Sequence, residues 1–156
     1  MKKIGASNLV QLIKAAQESP RRRANLNLHE TLPDPIQRLA IAMEPDTFIR
    51  PHRHTHTWEM LFPLKGRFAV LTFSDDGFVT DRIVLGEDIA VLEIPEGLWH
   101  SVLSLDDGAV IFEVKHGPYT PIAEKDCAKW GSVRDGLQTT NLLHWYGQAK
   151  PGDRYF

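Results

Sequence analysis

The chain has a single cysteine, Cys127, among its 156 residues. One thiol excludes an intrachain disulfide, a Cys-built zinc site and a CxxC redox pair, and it points to a reducing, cytoplasmic compartment. A charge excess of one sign is also missing, since 18 Lys and Arg stand against 20 Asp and Glu, for a formal net charge of -2. Such a balance offers no overall attraction toward polyanions, so neither nucleic acid nor an anionic membrane is expected as a partner. No apolar run approaches the roughly 18 residues of a membrane helix. Met1-Lys2-Lys3 leads into a stretch broken by Ser7, Asn8, Gln11 and Lys14, which does not read as a signal peptide. No repeat unit and no low-complexity tract is visible. What remains is an ordinary soluble composition, 42% hydrophobic and 24% charged, in a chain of the length of one domain, taken here as residues 1–156.

Leu9, Leu12, Ile13 and Ala16 have the spacing of an amphipathic helix, with Ser7 or Asn8 as its cap and Pro20 beyond its end. This helix is expected as a lid, and a polar connector carries residues 1–34 to the point where the apolar period changes to two. Between residues 35 and 116 the sequence breaks into short runs rich in Ile, Val, Leu and Phe, separated by turn residues, as in an all-β sandwich or barrel. The runs lie near 36–43, 48–54, 58–64, 67–73, 78–85, 89–94, 99–105 and 109–115. Leu39, Ile41 and Met43 share one strand face, as do Val110, Phe112 and Val114. Asp75-Asp76-Gly77 and Asp106-Asp107-Gly108 predict two hairpins. In the extension 117–156, Ile122 to Trp130 is expected to form a short helix, with Leu142, Leu143, Trp145 and Tyr146 packing against the barrel.

The chemistry is concentrated in His52-Arg53-His54-Thr55-His56-Thr57-Trp58-Glu59. Residues two apart on a strand share a face, so His52 and His54 can enter one cavity, whereas Glu59 needs a strand break near Thr55–Thr57 to join them. Pro95-Glu96-Gly97-Leu98-Trp99-His100 brings another imidazole after a Pro/Gly turn. Three imidazoles and a carboxylate suit one divalent transition metal (Fe, Mn, Zn, Ni or Co) and leave coordination positions open for water or substrate.

These residues resemble the two signature motifs of the cupin superfamily. His52, His54, Glu59 and Gly66 match H-x-H-x4-E-x6-G with every spacing intact. Gly86, Pro95, Gly97 and His100 match the second motif, with Ser104 where Asn is usual and a longer stretch between Gly86 and Pro95. The resemblance implies a double-stranded β-helix, or jelly roll, with a metal held in the barrel by His52, His54, Glu59 and His100. A narrower resemblance, carried by Pro20-Arg21 through Asn27 and His29, by Pro51-His52-Arg53-His54 and by His116-Gly117-Pro118-Tyr119, is to the WbuC-type cupin metalloproteins. It implies an association with bacterial surface-polysaccharide synthesis, and it makes Asn27 and Tyr119 candidate substrate-binding residues.

Around the ligands, His56 reads as solvent-facing or as a neighbour of the site rather than a ligand. Arg38 and Arg50 lie on expected strands beside the first motif, where an inward guanidinium would pair with an anionic substrate. Arg21-Arg22-Arg23 reads as a solvated connector, with phosphate or nucleotide-sugar binding as the sharper alternative. Trp58, Phe62 and Trp99 read as core, and Cys127 as an inert thiol. The functional expectation is a metal-dependent enzyme of isomerase or lyase type acting on a small sugar-like or carboxylated molecule, with Glu59 or a group beside the ligands handling protons. An Fe(II) dioxygenase and a non-catalytic carbohydrate or small-molecule binder are the alternatives, and exposed barrel edges make a homodimer plausible.

Overall fold

In the computed structural model, residues 1–133 and 135–155 are described. Their elements are, in order, α1 (Ala6–Glu18), β1 (Arg23–Asn27), β2 (Ile36–Met43), β3 (Glu59–Lys65), β4 (Phe68–Phe73), β5 (Val79–Leu85), β6 (Leu92–Ile94), β7 (Trp99–Ser104), β8 (Ala109–His116), a 3-10 turn at Glu124–Asp126 and α2 (Gly136–Gln148). One antiparallel sheet has the order β1-β2-β8-β3-β6 and the other β5-β4-β7. Packed face to face, they form the double-stranded β-helix that the motifs implied.

Strand alternation explains the layers. On β2, Met43 meets Leu61, Phe68, Val70, Leu85, Ile94 and Ile111 between the sheets. The intervening Ala40 and Ala42, with Val110 of β8, face outward and are covered by Leu12 and Ala16 of α1. The helix therefore caps the outer face of the larger sheet and does not close the barrel as a lid. Its N-cap is Gly5 rather than Ser7 or Asn8, and the Asn8 side chain accepts the Gly5 N–H at 3.0 Å. On the other side, β4 is buried along its whole length. Phe68 and Val70 face the barrel interior, while Ala69, Leu71 and Phe73 pack against Leu142 and Tyr146 of α2.

Four expectations about the elements are corrected. Residues 23–27 are a strand paired to β2, not a connector, because Ala24 and Leu26 find apolar cover under α1. Residues 48–54 form no regular strand. Pro51 has no N–H to give a ladder, and the segment joins the smaller sheet only where His52 bridges His100, while Pro51 O and Arg53 N–H pair with the loop at 126–128. The C-terminal helix spans 136–148 and not 122–130, since Asp135 caps it by accepting the Gln138 N–H at 2.9 Å. Asp75-Asp76-Gly77 does join paired strands, β4 and β5. Asp106-Asp107-Gly108 instead carries the chain from β7 in the smaller sheet to β8 in the larger.

Candidate metal centre

His52 and His100 lie on a shared antiparallel bridge, with His52 N–H donating to His100 O at 3.0 Å and His100 N–H to His52 O at 2.8 Å. Direct pairing brings their rings together, with centroids 4.5 Å apart. His54 follows on the same side, its ring 5.1 Å from His52 and 5.8 Å from His100, and its carbonyl accepts the Gly97 N–H at 2.8 Å, which ties the two motifs together. After the isolated bridge at His52 the chain stays irregular through Trp58 and enters regular pairing only at Glu59, and this irregular stretch restores the carboxylate to the histidine side. One ligand atom from each of His52, His54, Glu59 and His100 lies within 4.8 Å of all the others, and all but the half-buried His52 are buried.

The proton arrangement fits a cation. A carbonyl oxygen only accepts, so His52 donates from Nδ1 to Arg50 O at 2.9 Å and His100 from Nδ1 to Leu98 O at 2.9 Å. Both rings are thereby fixed with Nε2 as the free nitrogen. Yet His100 Nε2 lies 3.1 Å from Glu59 Oε2 and His54 Nε2 lies 2.9 Å from Glu59 Oε1. A neutral ring carries one proton, so the His100–Glu59 contact calls for a second proton or a cation between the two atoms. Burial, then the neighbouring His100, pushes His52 down to about 3, leaving it a neutral donor. Burial would raise Glu59, but hydrogen bonds from His100 and His54 and the charge of Lys115 outweigh it and hold the carboxyl well below its ordinary range. A neutral imidazole and an ionised carboxylate are the states a metal requires.

Two further residues belong to this wall. Lys115 Nζ lies 2.8 Å from Glu59 Oε1 and 2.8 Å from Glu113 Oε1. Burial opposes its charge, but the two carboxylates more than compensate and raise its pKa. Burial, then the charge of Glu59, raises Glu113 despite the opposing lysine. Neither residue stands out in the sequence; the available signal is that Ile111, Glu113 and Lys115 share strand parity, opposite to Val110, Phe112 and Val114.

The cluster opens into a cavity of about 450 Å³ between the sheets. Leu39, Ile41, Met43, Leu61, Val102 and Ile111 supply apolar wall, Glu113 and Lys115 a charged one, and Arg21, Arg23, Asn25 and Asn27 a polar edge. Asn27 and Tyr119 both line this cavity. Arg38 and Arg50 are not among the lining residues. Arg38 stands on the opposite face of β2 from Leu39 and pairs with Asp34 at 3.1 Å, and Arg50 reaches outward to Glu124 at 2.9 Å and Ala128 O at 3.0 Å. His56 is exposed, with its ring 6.3 Å from His54. Trp58 lies against His116, Phe62 against Phe112, and Trp99 is packed with Ala128, Leu142 and Tyr146 behind the smaller sheet. Burial raises the Cys127 thiol, as suits an unreactive sulfur. No helix among the described residues is long and apolar enough to cross a membrane.

Solved structures share the architecture. KdgF from Halomonas sp. aligns over 67% of this chain and 84% of its own with 13% identity and a TM-score of 0.51. Oxalate oxidase in complex with the substrate analogue glycolate aligns over 84% and 70% with 18% identity and a TM-score of 0.54. An RmlC-like cupin protein from Desulfovibrio desulfuricans aligns over 74% and 96% with 16% identity and a TM-score of 0.54. Likeness at these identities shows the fold, which is that of the cupins. Among curated proteins no significant sequence match is found. A family model described as Domain of unknown function (DUF6016) matches residues 4–85, from before α1 through β5, with His52, His54 and Glu59 inside the match and His100 beyond it. That match takes in more than half of the sequence, and the chain belongs to this family.

Proposed function

We propose that the protein is a mononuclear metal-dependent enzyme of isomerase or lyase type, acting on a small sugar-like or carboxylated metabolite, in the surface-polysaccharide setting that the resemblance to WbuC-type cupins implies. The observation that carries this reading is the convergence of three imidazoles and one carboxylate within 4.8 Å on the wall of an open cavity. His52, His54, Glu59 and His100 would hold a divalent transition metal, which supplies Lewis-acid polarisation of a carbonyl or enediolate oxygen when bound.

The chain's own residues supply the rest. Lys115 holds Oε1 of Glu59, the oxygen that also faces His54, and lines the cavity. Glu113, held by the same ammonium, is the carboxyl placed to accept or return a proton beside the ligands. Asn27 and Tyr119 offer neutral hydrogen-bonding groups on the cavity wall, suited to hydroxyl-rich ligands. The apolar face of Leu61, Val102 and Ile111 limits water around the reacting group. Proton transfer at carbon predicts that metal-loaded protein in deuterated water introduces solvent deuterium into hydroxy-carbonyl metabolites, read by proton NMR, and that Glu113→Gln slows this at least about 100-fold. Oxygen consumption without such exchange would replace this reading by the dioxygenase one.

A further inference from the structure

We propose that Arg21 and Arg23 form a phosphoryl-binding subsite of the same cavity, so that its occupant is a small phosphorylated molecule; the assignment of substrate class rests on the metal-enzyme reading above. Both guanidinium-bearing residues line the cavity, and Arg23 sits on β1 with the parity of Asn25 and Asn27, the inward one. Arg22 between them turns away, its Nε 2.9 Å from Asp46.

Ion pairing separates these two arginines from most of the others; Arg82 and Arg154 also lack a carboxylate, but Arg82 donates to Gly147 O and Arg154 lies over Phe78, and neither lines the cavity. Arg22, Arg38, Arg50, Arg53 and Arg67 each lie within 4 Å of a carboxylate. Among the described residues, Arg21 and Arg23 have no such partner. Arg23 is nonetheless held, since its Nη1 donates to Phe48 O at 3.2 Å, and the rest of its donor fork is free for a ligand. Half-buried and beside a like charge, Arg23 is depressed by burial first and by Arg21 second. Two adjacent cations without a carboxylate suit a group carrying up to two negative charges on tetrahedrally placed oxygens; a carboxylate would neutralise only one.

The register sets the spacing. Arg23 is opposite Met43, which is opposite Ala109, whereas Glu59 is opposite Lys115. Ala109 and Lys115 are six residues apart on β8, roughly 20 Å along the strand before side chains reach toward each other. A phosphoryl group at the arginines thus leaves room for a sugar-sized body whose far end meets the metal centre, passing Asn25 and Asn27 on the way.

The test is calorimetric titration of the intact protein, metal-loaded and chelator-treated, with inorganic phosphate, glucose 6-phosphate and acetate. Phosphate and glucose 6-phosphate should bind both forms, with acetate at least about tenfold weaker. Binding should weaken at least about tenfold in Arg21→Gln/Arg23→Gln and in the exposed single variant Arg21→Gln by several-fold, while Lys3→Gln/Lys14→Gln, which removes equal charge from α1 and its approach, leaves it unchanged. Unaltered phosphate binding in the double variant, equal acetate binding, or phosphate binding that vanishes on chelation would each overturn the assignment. Metal content of the same preparations separates the two readings: a wild type that holds no metal even after loading sinks the enzyme proposal and leaves the phosphate result to stand by itself.

Discussion

Among the described residues, Lys115 is the only cation within reach of two carboxylates that face the cavity, Glu59 and Glu113, and its side chain is 17% exposed. Removing one partner from such a buried group leaves uncompensated charge, a loss of the order of 3 kcal/mol. Lys115→Met should therefore lower the urea-unfolding free energy of chelator-treated protein by about 3 kcal/mol, and adding Glu113→Gln should recover part of it. A Lys115→Met protein as stable as wild type would show that the lysine neutralises nothing. The sequence made the histidines and Glu59 visible because ligand chemistry restricts both residue type and spacing. It hid Glu113 and Lys115 because charged residues alternating with Val110, Phe112 and Val114 look like a solvent face. Here the larger sheet is covered on both sides, so Val110 and Phe112 pack with α1 and the charged set lines the cavity. Arg38 is the converse: alternation places it on a face, but not on the inner one.

At the scale of elements, the motif glycines set how the strands turn. Gly86 has φ +92, and a Cβ there would lie 2.7 Å from the Gly66 carbonyl oxygen, so the two glycines of the two motifs meet backbone to backbone. Gly97 has φ +78 with open space around its missing side chain. Gly97→Ala should cost about 1 kcal/mol from backbone conformation alone, and Gly86→Ala at least about 2 kcal/mol because the clash adds to it, both read from urea midpoints. Equal costs would contradict the close approach. Ser104, where the motif usually has Asn, donates its hydroxyl to Asp106 O at 2.8 Å and so still fastens the turn out of β7. Strands with one clear apolar period, such as β2 at Ile36–Met43, were legible to the residue. β1 was not, since the cavity-facing half of Arg23–Asn27 is polar and only Ala24 and Leu26 mark the covered side. The C-terminal helix lies at Gly136–Gln148 because the cap that starts it is Asp135, a signal that the apolar residues alone do not carry.

For the whole molecule, each sheet shields its outer face with a helix and shares its inner face with the other, which leaves the interior free to hold a polar cluster amid apolar wall. Such a cluster of three imidazoles around one carboxylate is costly to bury unless a cation completes it. The most direct test is metal content by plasma mass spectrometry on untagged protein purified without chelator or added metal, beside His54→Ala/His100→Ala shown by circular dichroism to be folded. The arrangement predicts close to one divalent transition metal per wild-type chain and essentially none in the double variant. Undiminished metal in the variant, or a wild type that neither carries metal nor takes it up when offered, would contradict it.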